Sequence, residues 1–184
     1  MRRAILGGVL FDRDGTLIID VPYNGEPDAV FPLSGARIAL DRLREHGVAV
    51  GLVSNQSGIG RGLLTSTQVH EVNQRVVQLL GPFAYVAFCP HLPADGCRCR
   101  KPAPGMVLDA ACALGVAPTT LAVVGDIGAD VDAATAAGAQ GVLVPSSLTR
   151  QEEIAGAAAV VPDLGAAVEL LLRRRSATRC SGAA

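Results

Sequence analysis

Five short apolar runs separated by helical stretches constrain this chain more than any other feature. Residues 5–11, 48–53, 84–88, 121–124 and 141–144 each read as a buried strand of four to seven residues. Amphipathic or apolar helical runs fall between them, at 36–46, from Thr65 to about 80, at 104–114 and at 131–137. Ser34 is placed as the N-cap of the first helix and Gly47 as its stop, and Thr65 and Gln68 have the spacing of a capping box. After the fifth run come a short helix near Gln151, a brief strand at Val160 and Val161, and a last helix from Leu164 to about Arg174. Strands that alternate with helices specify an α/β protein, a three-layer α/β/α parallel sheet covered on both faces. Hydrophobic residues make up 49% of the 184 residues but aromatics only 3%, so Ala, Val, Leu and Gly fill the interior, as tightly packed α/β layers require. The expected organisation is a single domain over residues 1–175 with a frayed tail at 176–184.

Ligands of such sheets bind at the carboxyl ends of the strands. Four of the apolar runs end in polar or charged residues: Asp12-Arg13-Asp14, Ser54-Asn55, Cys89 onward to Lys101, and Asp126. Asp12 and Asp14, two apart at a strand end, direct two carboxyl groups to one place, one to attack and one to act as general acid and base. Asp126 adds a third carboxylate, and three cannot crowd together uncompensated, so a hard cation, Mg2+, is expected among them. Asp130, on the following helix, is expected to orient the site. Ser54 and Asn55 can hydrogen-bond a phosphate oxygen without adding charge. Lys101 is the only lysine in a chain whose other basic residues are arginine. A compact ammonium is required where a planar guanidinium cannot substitute. Arg61 is within chain reach of a substrate phosphate.

Cys89, His91, Cys97 and Cys99 form a second set of ligands. Three cysteines and a histidine within one short stretch suit a closed tetrahedral zinc site that staples a loop of low apolar content. Cys112 lies in a helical Ala/Leu run and is expected in the core. An odd and clustered set of five cysteines argues against a disulfide framework and for a metal site in a reducing compartment. The net charge of −1 gives no field toward nucleic acid or an anionic membrane, and no apolar run approaches the ~20 residues a membrane helix needs. Signal-peptide cleavage after the short N-terminal apolar stretch would remove Asp12, so a cytoplasmic monomer acting on a small molecule is expected.

In order and spacing, Phe11-Asp12-Arg13-Asp14-Gly15-Thr16-Leu17, Ser54-Asn55-Gln56-Ser57-Gly58, Arg100-Lys101-Pro102 and Gly125-Asp126 with Asp130 resemble the haloacid dehalogenase (HAD) superfamily of phosphatases. The zinc loop from Cys89 through Met106 is similar to that of the subgroup acting on heptose bisphosphate and histidinol phosphate. The resemblance implies an HAD-like sheet without a large cap domain and hydrolysis of a phosphomonoester through an aspartyl phosphate. By the same resemblance Asp12 is the nucleophile and a Mg2+ ligand. Asp14 is the acid and base and lends its backbone carbonyl to Mg2+, and Asp126 completes the protein ligands. Ser54 and Lys101 hold phosphate, and Asp20, Tyr23, Asn55 and Arg100 match substrate-contacting positions. The implied substrate is D-glycero-D-manno-heptose 1,7-bisphosphate, with histidinol phosphate or another sugar phosphate as the alternative. Ile18 and Ile127 stand where the heptose enzymes typically carry Asn and Lys, at positions expected near the substrate. A zinc-stapled binding protein without catalysis is the reading of another class, against which the full set Asp12, Asp14, Lys101 and Asp126 argues.

Overall fold

The computed structural model describes residues 6–180. Its strands are β1 (Gly8–Phe11), β2 (Ala49–Asn55), β3 (Tyr85–Cys89), β4 (Leu121–Gly125) and β5 (Gln140–Leu143). The helices are α1 (Ala36–Glu45), α2 (Ser66–Leu80), α3 (Gly105–Leu114), α4 (Gly128–Ala136), α5 (Gln151–Gly156) and α6 (Leu164–Cys180). The strands form one parallel sheet in the order β3-β2-β1-β4-β5. β1 is central, and the chain winds outward from it first through β2 and β3, then through β4 and β5. The crevice where the winding reverses lies at the carboxyl ends of β1 and β4, the place such sheets offer a ligand.

Alternation along β1 separates the two cores. Val9 and Phe11 join Val50, Leu52 and Val124 beneath α1, α2 and α6. Leu10 faces the other way and packs with Val53, Val123 and residues of α3 and α4. Gly51 is required by this packing, because a Cβ there would lie 2.5 Å from Leu10 Cδ2. The Thr65–Gln68 capping box is present, Thr65 Oγ1 accepting from Gln68 N at 3.2 Å and Gln68 Oε1 accepting from Thr65 N at 2.9 Å. It fixes where α2 begins, a contribution of about 1 kcal/mol.

Several sequence-based expectations are corrected. α1 is not capped by Ser34; Gly35, at φ 78°, precedes its first residue and no side chain caps it. α4 begins at Gly128, which brings Asp130 into its first turn beside the strand end. Val160 makes only an isolated bridge with Leu143. α6 continues to Cys180, beyond the end expected near Arg174, and residues 181–184 lie outside those described. Cys112 is exposed, because α3 turns Met106, Val107, Ala110 and Ala111 to the sheet and leaves Cys112 on its outer side. Ile18 is buried in the core under α1 and does not line the crevice.

Between β1 and α1 the chain makes a small flap and no cap domain. Ile18 bridges Pro32, Ile19 N donates to Phe31 O at 2.9 Å, and Leu33 N donates to Leu17 O at 2.9 Å. The tip turns at Tyr23, whose φ of 53° is the one positive value on a non-glycine residue among those described. The flap stands over the carboxyl ends of the strands as one wall of the crevice.

Candidate active site

Asp12 emerges from β1, its N–H still donating to Val124 O at 2.9 Å, and its side chain is buried. Asp126 directly follows β4 and is likewise buried. Asp130, fully buried in the first turn of α4, turns back toward them. Each of the three offers a carboxylate oxygen within 4.8 Å of the others. Gly15, at φ 74°, is obligatory at the turn after β1, because any side chain there would run into the Asp126 carboxylate.

Lys101 closes the group from the opposite side. Its Nζ donates to Asp12 Oδ1 at 2.6 Å and to Val53 O at 2.9 Å, and it lies 2.5 Å from Asp130 Oδ1. The side chain is 2% exposed. Its backbone is held by Asn55, whose Nδ2 donates to Lys101 O at 3.0 Å while its Oδ1 accepts from Lys101 N at 3.0 Å. Both ends of the Asn55 carboxamide are thereby engaged in placing the lysine. Burial works against the ammonium, but Asp12 and Asp130 outweigh it and hold its pKa above the usual lysine range.

The carboxylates feel the dry surroundings. Burial pushes Asp12 up to about 7, with Lys101 pulling it down and Asp130 and Asp14 pushing it further up. Burial also raises Asp126, to about 6, against the hydrogen bond from Ser146. Two carboxylates that resist ionisation side by side, with one ammonium between three acids, form a donor set suited to a divalent cation. The hydroxyl of Ser146 donates to Asp126 Oδ2 at 2.7 Å, and that of Thr149 donates to Asp126 O at 2.5 Å.

Asp14 is held in a separate network. Arg13, 1% exposed, reaches its carboxylate with Nε at 3.1 Å and Nη2 at 3.0 Å, and its Nη1 donates to Asn73 Oδ1 on α2 at 3.0 Å. Gln56 Nε2 donates to Asp14 Oδ2 at 2.9 Å and to Ser54 Oγ at 2.7 Å. The Asp14 side chain thus stands outside the three-carboxylate group, at the edge of the same crevice.

The crevice encloses about 250 Å³. Asp12, Asp14, Ser54, Asn55, Lys101 and Asp126 line it, with Asp20 and Tyr23 on the flap and Ile127 and Leu148 opposite. Burial beside Asp14 raises the pKa of Asp20. Arg61 and Arg100 are not among the lining residues; Arg100 donates to His91 O at 3.2 Å across the cysteine loop. Reading strand ends could not reveal Arg13, Gln56, Asn73, Ser146 or Thr149 as parts of the network. Their partners are set by how the flap, α2 and the loop after β5 pack around the strand ends, which the strand pattern alone does not fix.

The four soft ligands also converge. Cys89 Sγ lies 3.5 Å from His91 Nδ1, 3.5 Å from Cys97 Sγ and 3.1 Å from Cys99 Sγ, and Cys99 Sγ lies 3.3 Å from His91 Nδ1 and 3.5 Å from Cys97 Sγ. A tetrahedral ion with Zn–S of ~2.3 Å sets S···S edges of about 3.7 Å, close to this arrangement. Burial pushes the Cys89 thiol up to about 12. At Cys97 burial is outweighed by the N–H of Arg100 and the neighbouring thiols, which bring it down to about 7.

The geometry defines a doubly wound α/β core with an acidic, lysine-closed crevice. The HAD-hydrolase-like family profile matches residues 98–167. The D-glycero-β-D-manno-heptose-1,7-bisphosphate 7-phosphatase of Bordetella bronchiseptica is 36% identical over 174 residues, covering 90% of this chain and 97% of its own length. Its counterpart in Pseudomonas aeruginosa is 36% identical over 149 residues, 78% of this chain and 82% of that protein. Among solved structures, the B. bronchiseptica D,D-heptose 1,7-bisphosphate phosphatase, complexed with magnesium and phosphate, superposes with a TM-score of 0.78 at 32% identity. The match covers 90% of this chain and 98% of that one. The chain belongs to the HAD-like hydrolases, in the family of these heptose-bisphosphate phosphatases.

Proposed function

We propose that this protein is a Mg2+-dependent phosphatase that removes the C7 phosphate of D-glycero-β-D-manno-heptose 1,7-bisphosphate in the cytoplasm. The observation that carries the reading is the buried group of Asp12, Asp126 and Asp130 closed by Lys101. It has an acid able to attack phosphorus and a donor set that fits a divalent cation. Asp12 and Asp126, with the backbone carbonyl of Asp14, would hold Mg2+, which when bound neutralises charge on the transferring phosphoryl group. Asp12 attacks phosphorus, the bond to the sugar oxygen breaks, and Asp14 gives that oxygen its proton. Asp14 then takes a proton from water, whose oxygen attacks the aspartyl phosphate and releases inorganic phosphate with Asp12 restored. Lys101 and Ser54 seat the phosphate oxygens, while Asp20 and Tyr23 on the flap meet the sugar hydroxyls, which need partners once desolvated. Asp130 and Asn55 position Lys101. Cys89, His91, Cys97 and Cys99 hold a structural Zn2+ that takes no part in the chemistry.

The crevice is narrow and open to solvent, and its flap side is polar, which supports a small polyhydroxy ester. Ile127 and Leu148 form a neutral opposite wall, so the comparison that matters is between substrates differing away from the reacting phosphate. The test compares kcat/KM for heptose 1,7-bisphosphate, histidinol phosphate and fructose 1,6-bisphosphate with Mg2+. The heptose ester is expected to lead. Preference for histidinol phosphate would refute the substrate and leave the reaction standing; no Mg2+-dependent phosphate release from any of the three would refute the reaction.

A further inference from the structure

Gln56 follows the last residue of β2, is 6% exposed, and is anchored by its own N–H, which donates to Cys89 O at 2.7 Å. One atom of its side chain, Nε2, lies within hydrogen-bond distance of both Asp14 Oδ2 and Ser54 Oγ. The carboxylate settles which end of the carboxamide this is. An amide oxygen set against Asp14 would oppose an anion, so the atom is the nitrogen and both of its hydrogens are committed. The bond to Ser54 therefore runs from Gln56 to the serine oxygen. A hydroxyl that accepts there keeps its single hydrogen for another acceptor, and no bond donated by the Ser54 hydroxyl occurs among the described residues. Ser54 lines the crevice beside Asp12, where a phosphate oxygen would arrive.

From this hydrogen-bond order we infer that Gln56 is a positioning residue that orients the Ser54 hydroxyl as a donor to the substrate phosphate while fixing Asp14 with its second N–H. The inference rests on the phosphatase reading of the crevice. Without Gln56, the Ser54 hydroxyl is no longer fixed as an acceptor from that side and is free to turn its hydrogen away from the crevice, and the phosphate would lose a preorganised partner.

The test is a double-mutant cycle on binding of inorganic phosphate, measured by calorimetry in the presence of Mg2+. Gln56→Met keeps length and bulk and removes both donors. It is expected to weaken phosphate binding about tenfold in the parent chain and less than about twofold in Ser54→Ala, because it acts through that hydroxyl. Gln56→Glu, which keeps the shape but puts an acceptor where the donors were, is expected to lose at least as much in the parent and equally little in Ser54→Ala. Phosphate binding unchanged in both Gln56 variants, or an equal loss with and without the Ser54 hydroxyl, would overturn the inference alone. Undiminished phosphate binding in Ser54→Ala itself would show that the phosphate sits elsewhere, and the assignment of Ser54 would fall with the inference.

Discussion

The carboxylate group and the cysteine–histidine group are both arranged to hold a cation, yet the chain supports them in opposite ways. Asp12 and Asp126 are far apart in sequence, Asp130 follows Asp126 by four residues, and all three are almost wholly buried. The sheet places two of them, α4 the third, and Lys101 binds two of the three directly. Cys89 ends β3, and His91, Cys97 and Cys99 come from the short loop after it, all three partly exposed or exposed. That loop has only a 3-10 turn at Pro93–Asp95 for regular structure. The first group is held by the fold and would use its ion for chemistry. The second has little else to hold it, so its ion contributes folding energy.

Asp12→Asn separates the two most sharply. It should lower phosphatase activity on the order of 10⁴-fold or more, as deletion of a covalent nucleophile does in other enzymes. The melting temperature should move by no more than a few degrees, since the sheet still places the residue. Activity within about tenfold of the parent would show that another group attacks.

Cys97→Ser should have the reverse order of effects. Bound zinc, expected at one ion per chain by elemental analysis, should fall, and Tm should drop by about 5–15 °C, the equivalent of a few kcal/mol. Activity should fall as a consequence, because Lys101 is carried at the end of the same loop. A zinc-free preparation with unchanged Tm and activity would erase the contrast between the two groups.

The smallest effect is on pH dependence and reads the carboxylate group alone. Asp12 and Asp126 have folded-state pKa values raised from 3.8 to about 7 and about 6. The native metal-free protein therefore binds more protons than the unfolded chain between about pH 4 and pH 7. Stability from these two groups is full below the unfolded pKa and is lost as pH rises through the folded values. Added Mg2+ should accordingly raise Tm by a few degrees at about pH 8 and by less at about pH 5. An equal increment at both would place the cation away from these side chains.

The same contrast explains what could be read in advance. Asp12, Ser54 and Asp126 lie within or directly after apolar strands, so their convergence followed from the strand pattern once a parallel sheet was inferred. The zinc ligands were legible because they are close in sequence. Lys101 was legible as the chain's only lysine, but its support was not. Asn55 was expected to meet substrate; it lines the crevice, and its carboxamide holds the lysine's backbone, a role no strand-end pattern announces. Arg13 was hidden in plain sight: a buried arginine is visible only once Asp14 and Asn73 are seen around it. Ile127 directly follows the strand-end Asp126 and Ile18 comes four residues after Asp14, yet Ile18 is core and Ile127 lines the crevice, a difference made by the flap's hydrogen bonds to Phe31 and Leu17.

Lys101 also imposes an order in time. Ionised, Asp12, Asp126 and Asp130 outnumber the one ammonium among them, so the dry end of the crevice is a net dianion, while Arg13 and Asp14 balance each other nearby. A phosphate ester approaching that surface carries the same sign and meets repulsion that little water screens. A divalent ion entering first cancels the excess and leaves the seat neutral for the phosphate. The protein is therefore built for a sequence of arrivals, cation and then ester, and the departing phosphate leaves a site already set for the next turnover.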